Sequence, residues 1–404
     1  MRHVIVGGGM AGTSCAEALR ILRPKDEIVL ISEEQHPLYS RVLLSDYVKA
    51  LIPRERLFLK KEAWYATQRI EWLPGLRAEA LDAKNHFVAL SDGRELPYDK
   101  LLLASGGEPK TLPDDLRGVS YLRTLDDADH LRQLLSERTK TAVAAVYGSG
   151  FIAAEYLDIF SHFHLPTTIA FRGSWFWSKV LDEPAGTWIN KTLETQGIPV
   201  IPNAPFLGLQ GDDEIEICET GAKNVPCSIL GVGVGVKPDL SWLHEAGIET
   251  GCGTKTNEFL ETNLPDIYAA GDGTEYFDLF SGTHRRAANW MNATMQGRVV
   301  AKTLAGERTP YRLVTSYASN LFGIEIIFIG DTDRRHADET ILRGSVEEGG
   351  LGYLFLKRNH LVGAALLNRN TDRMPITGFI DRRIEIQRKK ELKDPSYDLK
   401  NLLA

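Results

Sequence analysis

Two glycine-rich turns are the places in this chain where bare backbone could hold a phosphate. The first is Gly7-Gly8-Gly9-Met10-Ala11-Gly12, which follows the strand-like run HVIV and opens a helix-like run. In this spacing Gly7 permits the tight turn, Gly9 lets the backbone approach a pyrophosphate, and Gly12 lets the helix pack closely on the strand. Met10 and Ala11 then stand at a helix N-terminus, whose free N–H groups and dipole stabilise phosphate charge. About 24 residues beyond Gly9, Glu33 and Glu34 close the next apolar run, EIVLISEE. One of the two is placed to accept hydrogen bonds from an adenosine ribose.

The second turn is Gly148-Ser149-Gly150-Phe151-Ile152-Ala153. Its third glycine is Ala153, a replacement the pattern tolerates. No carboxylate stands where the ribose acid belongs: Phe171 is there, followed by Arg172. An arginine near that position can pair with a 2′-phosphate, so NADPH is as open as NADH.

Each turn belongs to the same unit of apolar strand, glycine turn, helix and second strand. Two such units about 140 residues apart predict two Rossmann-like dinucleotide-binding domains of α/β class. KLLLASGG reads as a buried parallel strand ending in a small-residue turn, and DGREL as a hairpin. SILGVGVGVKPD reads as a further buried strand ended by Pro238. ANWMNATMQGRVVAKTLAG reads as a helix stopped at Gly306. From about Tyr311 the pattern changes to short strands, which predicts a C-terminal α+β domain. The expected division is residues 1–112 with 245–310 for the first nucleotide, 113–244 for the second, and 311–404 for the C-terminal domain. The charged tail EIQRKKELKDPSYDLKNLLA reads as a solvated terminus or as a docking segment for a partner.

A chain of 404 residues with 43% hydrophobic and 25% charged residues is ordinary for a globular protein. The net charge of −7 excludes a nucleic-acid binder, which needs a large basic face. The four cysteines, Cys15, Cys218, Cys227 and Cys252, show neither CxxC nor CxxxxC spacing. That predicts no metal site, no local redox disulfide and no secreted disulfide framework. No signal-peptide pattern and no apolar run of about 20 residues appears, so the reading is cytoplasmic, with no membrane span.

The motifs GGGMAG, LYSRVLLSDY, YDKLLLASGG, YLRTLDDAD, GSGFIAAE, GVGVGVKPD, IYAAGDG and NWMNATMQG occur in that order. Together they resemble the FAD-dependent pyridine-nucleotide oxidoreductase family. The closer resemblance is to the ferredoxin and rubredoxin reductases and the flavin part of assimilatory nitrite reductases. It runs from Met1 to about residue 380.

The resemblance implies FAD as cofactor and NADH or NADPH as co-substrate. It implies Asp272, beside Gly271, at the FAD ribityl chain, and Arg41 near the FAD phosphates. Ser105, Gly106 and Gly107 match the turn beside the flavin, and Arg123 the segment lining the FAD site. Trp290 and Gln296 match a helix below the isoalloxazine, and Glu155 the glutamate that reaches the nicotinamide. Ala78 and Ser45 join the FAD contacts, and Gly148, Gly150 and Gly235 the second nucleotide site. Glu155 and Asp46 are the catalytic candidates.

One departure is informative. The segment LYSRVLLSDYV has no cysteine where many family members carry their redox thiols. Electrons must then leave by another route, which implies an iron–sulfur carrier of ferredoxin or rubredoxin type as partner, or a neighbouring redox subunit. Asp46 follows Ser45 where many ferredoxin reductases have a lysine. A carboxylate there would disfavour negative charge on a reduced flavin, unless it turns away to pair with a nearby base.

Arg382, Arg383, Arg388, Lys389 and Lys390 are a basic cluster suited to steer an acidic carrier, or an ordinary solvated face. Trp175-Phe176-Trp177 could cover the second nucleotide, join a subunit contact in a homo-oligomer, or pack between domains. Two other readings stand beside the reductase. One is an electron-transfer flavoprotein subunit of a larger complex that reduces NAD(P)+. The other is a slow-turnover binding flavoprotein like the apoptosis-inducing factors.

Overall fold

The structure is a computed structural model that describes residues 1–114 and 116–403. It divides into two compact units. One comprises Met1–Ser40, Arg54–Glu108 and Val236–Thr315; the other comprises Arg41–Pro53, Pro109–Gly235 and Ser316–Ala404.

The first unit is built on a five-stranded sheet in the order Ile267–Ala269, Lys100–Leu103, Arg2–Val6, Glu27–Ser32, Glu71–Pro74. All its pairings are parallel. In chain order this is 3-2-1-4-5, the order of a dinucleotide-binding sheet, with its reversal between the first and fourth strands. The strands read as unbroken apolar runs because both faces are covered. Ile5, Leu30 and Leu102 join the core that holds Cys15, Leu19, Val300 and Leu304 from the helices Met10–Leu22 and Trp290–Leu304. Val4, Val6, Val29, Ile31, Leu101 and Leu103 face the other way. They join a core shared with Leu81, Val88 and Leu90 of the meander Ala78–Asp82, Phe87–Leu90, Glu95–Pro97. Alternate residues serving alternate cores is the period-2 signature of a strand. Burying each such Val, Ile or Leu stabilises the fold by about 1.5–3 kcal/mol.

The two helices of the first core cross closely. A Cβ on Gly297 would fall 2.2 Å from the Ala11 carbonyl oxygen. The helix Trp290–Leu304 starts where Asn289 caps it, accepting from the Asn292 N–H at 2.9 Å, and Gly306 follows it at φ +95°.

The second unit repeats the scheme. Its parallel sheet runs Val200–Ile201, Thr167–Ala170, Ala144–Tyr147, Ile229–Val232, Val119–Ser120. The run SILGVGVGVKPD is not one strand. It ends at Val232, Gly235 turns at φ +108°, and Val236–Lys237 is a separate short strand. The same unit holds a five-stranded antiparallel sheet in the order Ser316–Leu321, Ile324–Gly330, His360–Leu367, Gly350–Lys357, Glu339–Ser345. The helix Arg373–Arg382 buries Ile376, Phe379 and Ile380 against it.

The tail is packed, not frayed. Leu392 and Leu399 are buried. Arg343, only 2% exposed, pairs with Asp372 at 2.9 Å and donates to the carbonyls of Leu392 at 3.2 Å and Tyr397 at 2.8 Å, and to that of Asp394. The sequence reading of a solvated terminus fails because a strand arginine hidden by these carbonyls has no sequence signature.

Candidate functional site: two phosphate cradles

The first glycine loop sits at the point where the strand order of its sheet reverses. Gly7 has φ +117°, and a Cβ there would lie 2.1 Å from the Ala104 carbonyl oxygen. A Cβ on Gly12 would lie 2.0 Å from the Gly7 carbonyl oxygen. Both glycines are therefore required by backbone packing. Gly9 is different, since a Cβ built there meets nothing within 4 Å. The loop presents open space at the N-terminus of the helix Met10–Leu22, where a pyrophosphate would be held.

The acids beyond the second strand are both engaged. Glu33 pairs with Arg77 at 2.9 Å, and Arg77 also reaches Glu108 at 3.2 Å and Asp239 at 2.7 Å. Glu34 accepts from the Tyr39 hydroxyl. Ala78 is buried in the first meander strand. Ser105 is exposed, and Gly106 turns at φ +73° beside Gly273.

At the other end of this cradle, the buried Gln296 accepts from the Gly271 N–H at 2.7 Å and so fixes the turn that carries the half-buried Asp272. The Gln296 Nε2 is buried and has no hydrogen-bond partner among the described residues. A buried orphan donor is costly unless something bound satisfies it. The open space at Gly9 and this free donor fit a cofactor with a pyrophosphate and further acceptors. Trp290, half-buried, begins the helix that carries Gln296.

Arg41, Ser45, Asp46 and Arg123 belong to the second unit. Arg41 donates to the Arg123 carbonyl at 2.5 Å, and the Arg123 N–H donates to Asp127 at 2.9 Å. Asp127 and Thr124 form the capping box that starts the helix Leu125–Glu137. Ser45 and Asp46 lie on the short helix Leu44–Val48. Asp46 turns to Lys49 at 3.2 Å, and Lys49 also holds Asp158 at 2.6 Å. Next to them Glu155 is largely withdrawn from water. Burial pushes its carboxyl above the usual range, the Ser45 hydroxyl opposes this, and the charges of Asp158 and Asp46 add to it.

This arrangement sets a pH dependence. A carboxyl raised in the folded state is ionised more readily in the unfolded chain. Stability is then lost as pH rises from about 4 through the raised value. Glu155→Gln is expected to abolish that loss and to raise the melting temperature at neutral pH relative to the parent. Thermal unfolding across pH checks this, and parallel curves for parent and variant would refute it.

The second glycine loop repeats the first. Gly148 has φ +136°, with a Cβ position 2.3 Å from the Gly233 carbonyl oxygen, while Gly150 and Gly235 face open space. Phe151 and Ile152 begin the helix Phe151–His162. The Trp177 N–H donates to the Ser149 carbonyl at 3.0 Å, so the aromatic run straps the loop from behind. Phe176 and Trp177 are buried, and the Trp177 ring packs on Phe151 and on Phe328 of the antiparallel sheet. Trp175 covers Gly186. Phe176 and Trp177 therefore offer no surface for a subunit contact, which corrects that expectation.

Three features escaped the sequence reading: the Trp177 strap, the Lys49–Asp158 pair and the close crossing at Gly297. Only the second left a trace, since Asp46/Lys49 and Glu155/Asp158 are each spaced i,i+3 on a helix.

Residues 1–297 match the family described as pyridine nucleotide-disulphide oxidoreductase. The chain belongs to this family. Residues 318–403 match the reductase C-terminal family, which covers the antiparallel sheet and the tail. As a member of the pyridine nucleotide-disulphide oxidoreductase family, the protein is an oxidoreductase whose cofactor is FAD and whose co-substrate is a nicotinamide nucleotide.

The chain is similar to the ferredoxin--NAD(+) reductase component of the biphenyl dioxygenase system of Paraburkholderia xenovorans. Identity is 28%, over 99% of this chain and 97% of that one. It is also similar to rubredoxin-NAD(+) reductase of Pseudomonas putida, with 29% identity over 91% of this chain and 96% of that one. The crystal structure of a covalent putidaredoxin reductase–putidaredoxin complex matches with a TM-score of 0.91 and 25% identity, covering 100% of this chain and 98% of that one. Among the described residues no helix is long and apolar enough to cross a membrane.

Proposed function

We propose that this protein is an FAD-dependent NAD(P)H oxidoreductase that exchanges electrons with a one-electron iron–sulfur carrier of ferredoxin or rubredoxin type. The carrying observation is the pair of open phosphate cradles, one on each dinucleotide sheet, in a chain with no thiol suited to take the electrons. Cys15, Cys218 and Cys227 are buried. Burial pushes the Cys15 thiol up, and raises Cys218 to about 11 and Cys227 to about 12. Such thiols stay protonated and inert at neutral pH. Cys252 is exposed and free. The similar ferredoxin and rubredoxin reductases support the choice of partner.

FAD, when bound, supplies hydride acceptance from a nicotinamide and the release of electrons one at a time. The chain supplies binding and orientation. Residues 1–112 with 245–310 hold FAD through the Gly7–Gly12 loop, the Gly271 turn and Gln296. Residues 113–244 hold the nicotinamide nucleotide through the Gly148–Ala153 loop. Residues 311–404 form the C-terminal domain.

Glu155 keeps its proton over a wider pH range than an ordinary glutamate and is the group we assign to orient the nicotinamide. Asp46 acts through Lys49 as a positioning residue for Glu155. We place the reaction in the cytoplasm, where buried cysteines remain unpaired.

Asp272→Ala is expected to weaken FAD binding by about 10- to 150-fold, the loss of one charge-assisted hydrogen bond. The ratio of flavin to protein absorbance after gel filtration measures this, and a fully yellow variant would remove Asp272 from the site. The function itself is tested by anaerobic titration with NADH and NADPH, followed by addition of an oxidised rubredoxin or ferredoxin. Bleaching of the flavin and its reoxidation by the carrier are expected. A flavin that neither nucleotide bleaches would overturn the proposal.

A further inference from the structure

We infer that the second cradle is shaped for a nucleotide bearing a 2′-phosphate, NADPH, and that Arg172 is the residue that recognises it. The inference rests on the proposed function, because it concerns the nicotinamide nucleotide site of that reaction.

The similar reductases are named for NAD(+). A nucleotide without a 2′-phosphate is held in a Rossmann-like site by an acid at the end of the second strand, which accepts from the ribose hydroxyls. Here that strand is Thr167–Ala170, and the next residue is Phe171. Phe171 is 1% exposed and packs edge-on against the buried Phe176, with ring centroids 5.6 Å apart. Its position is core. A carboxylate could not be placed there without burying a charge, and no ribose could reach it.

Arg172 is the first residue of this strand end to face solvent. Among the described residues its guanidinium has no ion pair. An exposed arginine that neutralises nothing in its own chain has all its donors free for a ligand. Its place is also that of an adenosine ribose. Tyr147, which ends the central strand just before Gly148, lies in register with Ala170 of the neighbouring strand. Arg172, two residues further on, therefore stands beyond the carboxyl end of that strand, where a dinucleotide binds such a sheet.

The turn that follows is fixed by a polar frame. The Asn203 N–H donates to the Gly173 carbonyl at 2.8 Å, and the Ser174 hydroxyl donates to the Asn203 side-chain oxygen at 3.0 Å. That frame holds Arg172 and the exposed Ser174 on one short turn. A guanidinium so placed matches the oxygens of a phosphate monoester. A free ribose hydroxyl would gain little from a cation that cannot accept a hydrogen bond.

The test uses the FAD-loaded full chain under anaerobic conditions, titrated separately with NADPH and NADH, with flavin bleaching as the readout. Adenosine 2′,5′-bisphosphate and adenosine 5′-monophosphate serve as competitors. The parent protein is expected to bind NADPH at least about tenfold more tightly than NADH, and to bind the bisphosphate more tightly than the monophosphate. In Arg172→Ala the NADPH-to-NADH affinity ratio should fall about 10- to 150-fold, and in Arg172→Glu it should invert.

A parent protein that prefers NADH, or a ratio unmoved in Arg172→Ala, overturns this inference and leaves the proposed function standing. A flavin bleached by neither nucleotide overturns both.

Discussion

Replacing Gly9 by valine is expected to give a folded protein that has lost its yellow cofactor. The backbone at Gly9 has φ −73°, which any residue adopts, and a Cβ there would meet nothing within 4 Å. The substitution therefore costs the empty protein little. It fills instead the space through which the first loop would approach a pyrophosphate. Displacing a ligand phosphate from its N–H donors by about 3 kcal/mol weakens binding by over about a hundredfold. Far-UV circular dichroism and the melting temperature of the flavin-free protein should match the parent, while the flavin band is absent. A variant that keeps full flavin would place the cofactor elsewhere. Gly12→Ala has a different basis, since its Cβ would lie 2.0 Å from a backbone oxygen and the fold itself must shift.

The same substitution in the second loop separates the two ligands. Gly150 has φ −121° and open space at its Cβ position. Gly150→Val is expected to remain yellow and to be reduced by dithionite. Its apparent Kd for either nicotinamide nucleotide should rise over about a hundredfold. Loss of FAD from this variant, or bleaching at parental nucleotide concentration, would refute the assignment of one cradle to each ligand. The two variants form a crossed pair: one loses colour, the other loses its response to the reductant.

These loops were legible in the sequence because backbone geometry dictates residue type there. Gly7 and Gly148 need positive φ, and Gly12 needs a bare backbone, so these three positions call for glycine. The strands around them were legible for a related reason, as sheets covered on both faces require unbroken apolar runs such as HVIV and KLLL.

What escaped depends on partners distant in sequence. Nothing near Glu33 announces that Arg77 will claim it, and nothing near Lys49 announces that Asp158, 109 residues further on, will share it with Asp46. The run SILGVGVGVKPD reads as one strand because alternating Val and Gly mimic a buried strand, yet Gly235 can turn where valine cannot. Trp175-Phe176-Trp177 leaves covering, contact and packing readings open in the sequence. What decides for Trp177 is Phe328, about 150 residues further on, against which its ring packs.

The clamp around Arg343 has a bearing on the stability of a shortened chain. The guanidinium is shut into the fold with Asp372, and its remaining donors are answered only when residues near 392–397 arrive. A polypeptide ending before them would keep the Arg343–Asp372 pair but lose those carbonyl acceptors, at a cost of about 1–3 kcal/mol for each donor left buried and unsatisfied. The final stretch thus closes the fold over this ion pair, and a copy lacking it is expected to be less stable.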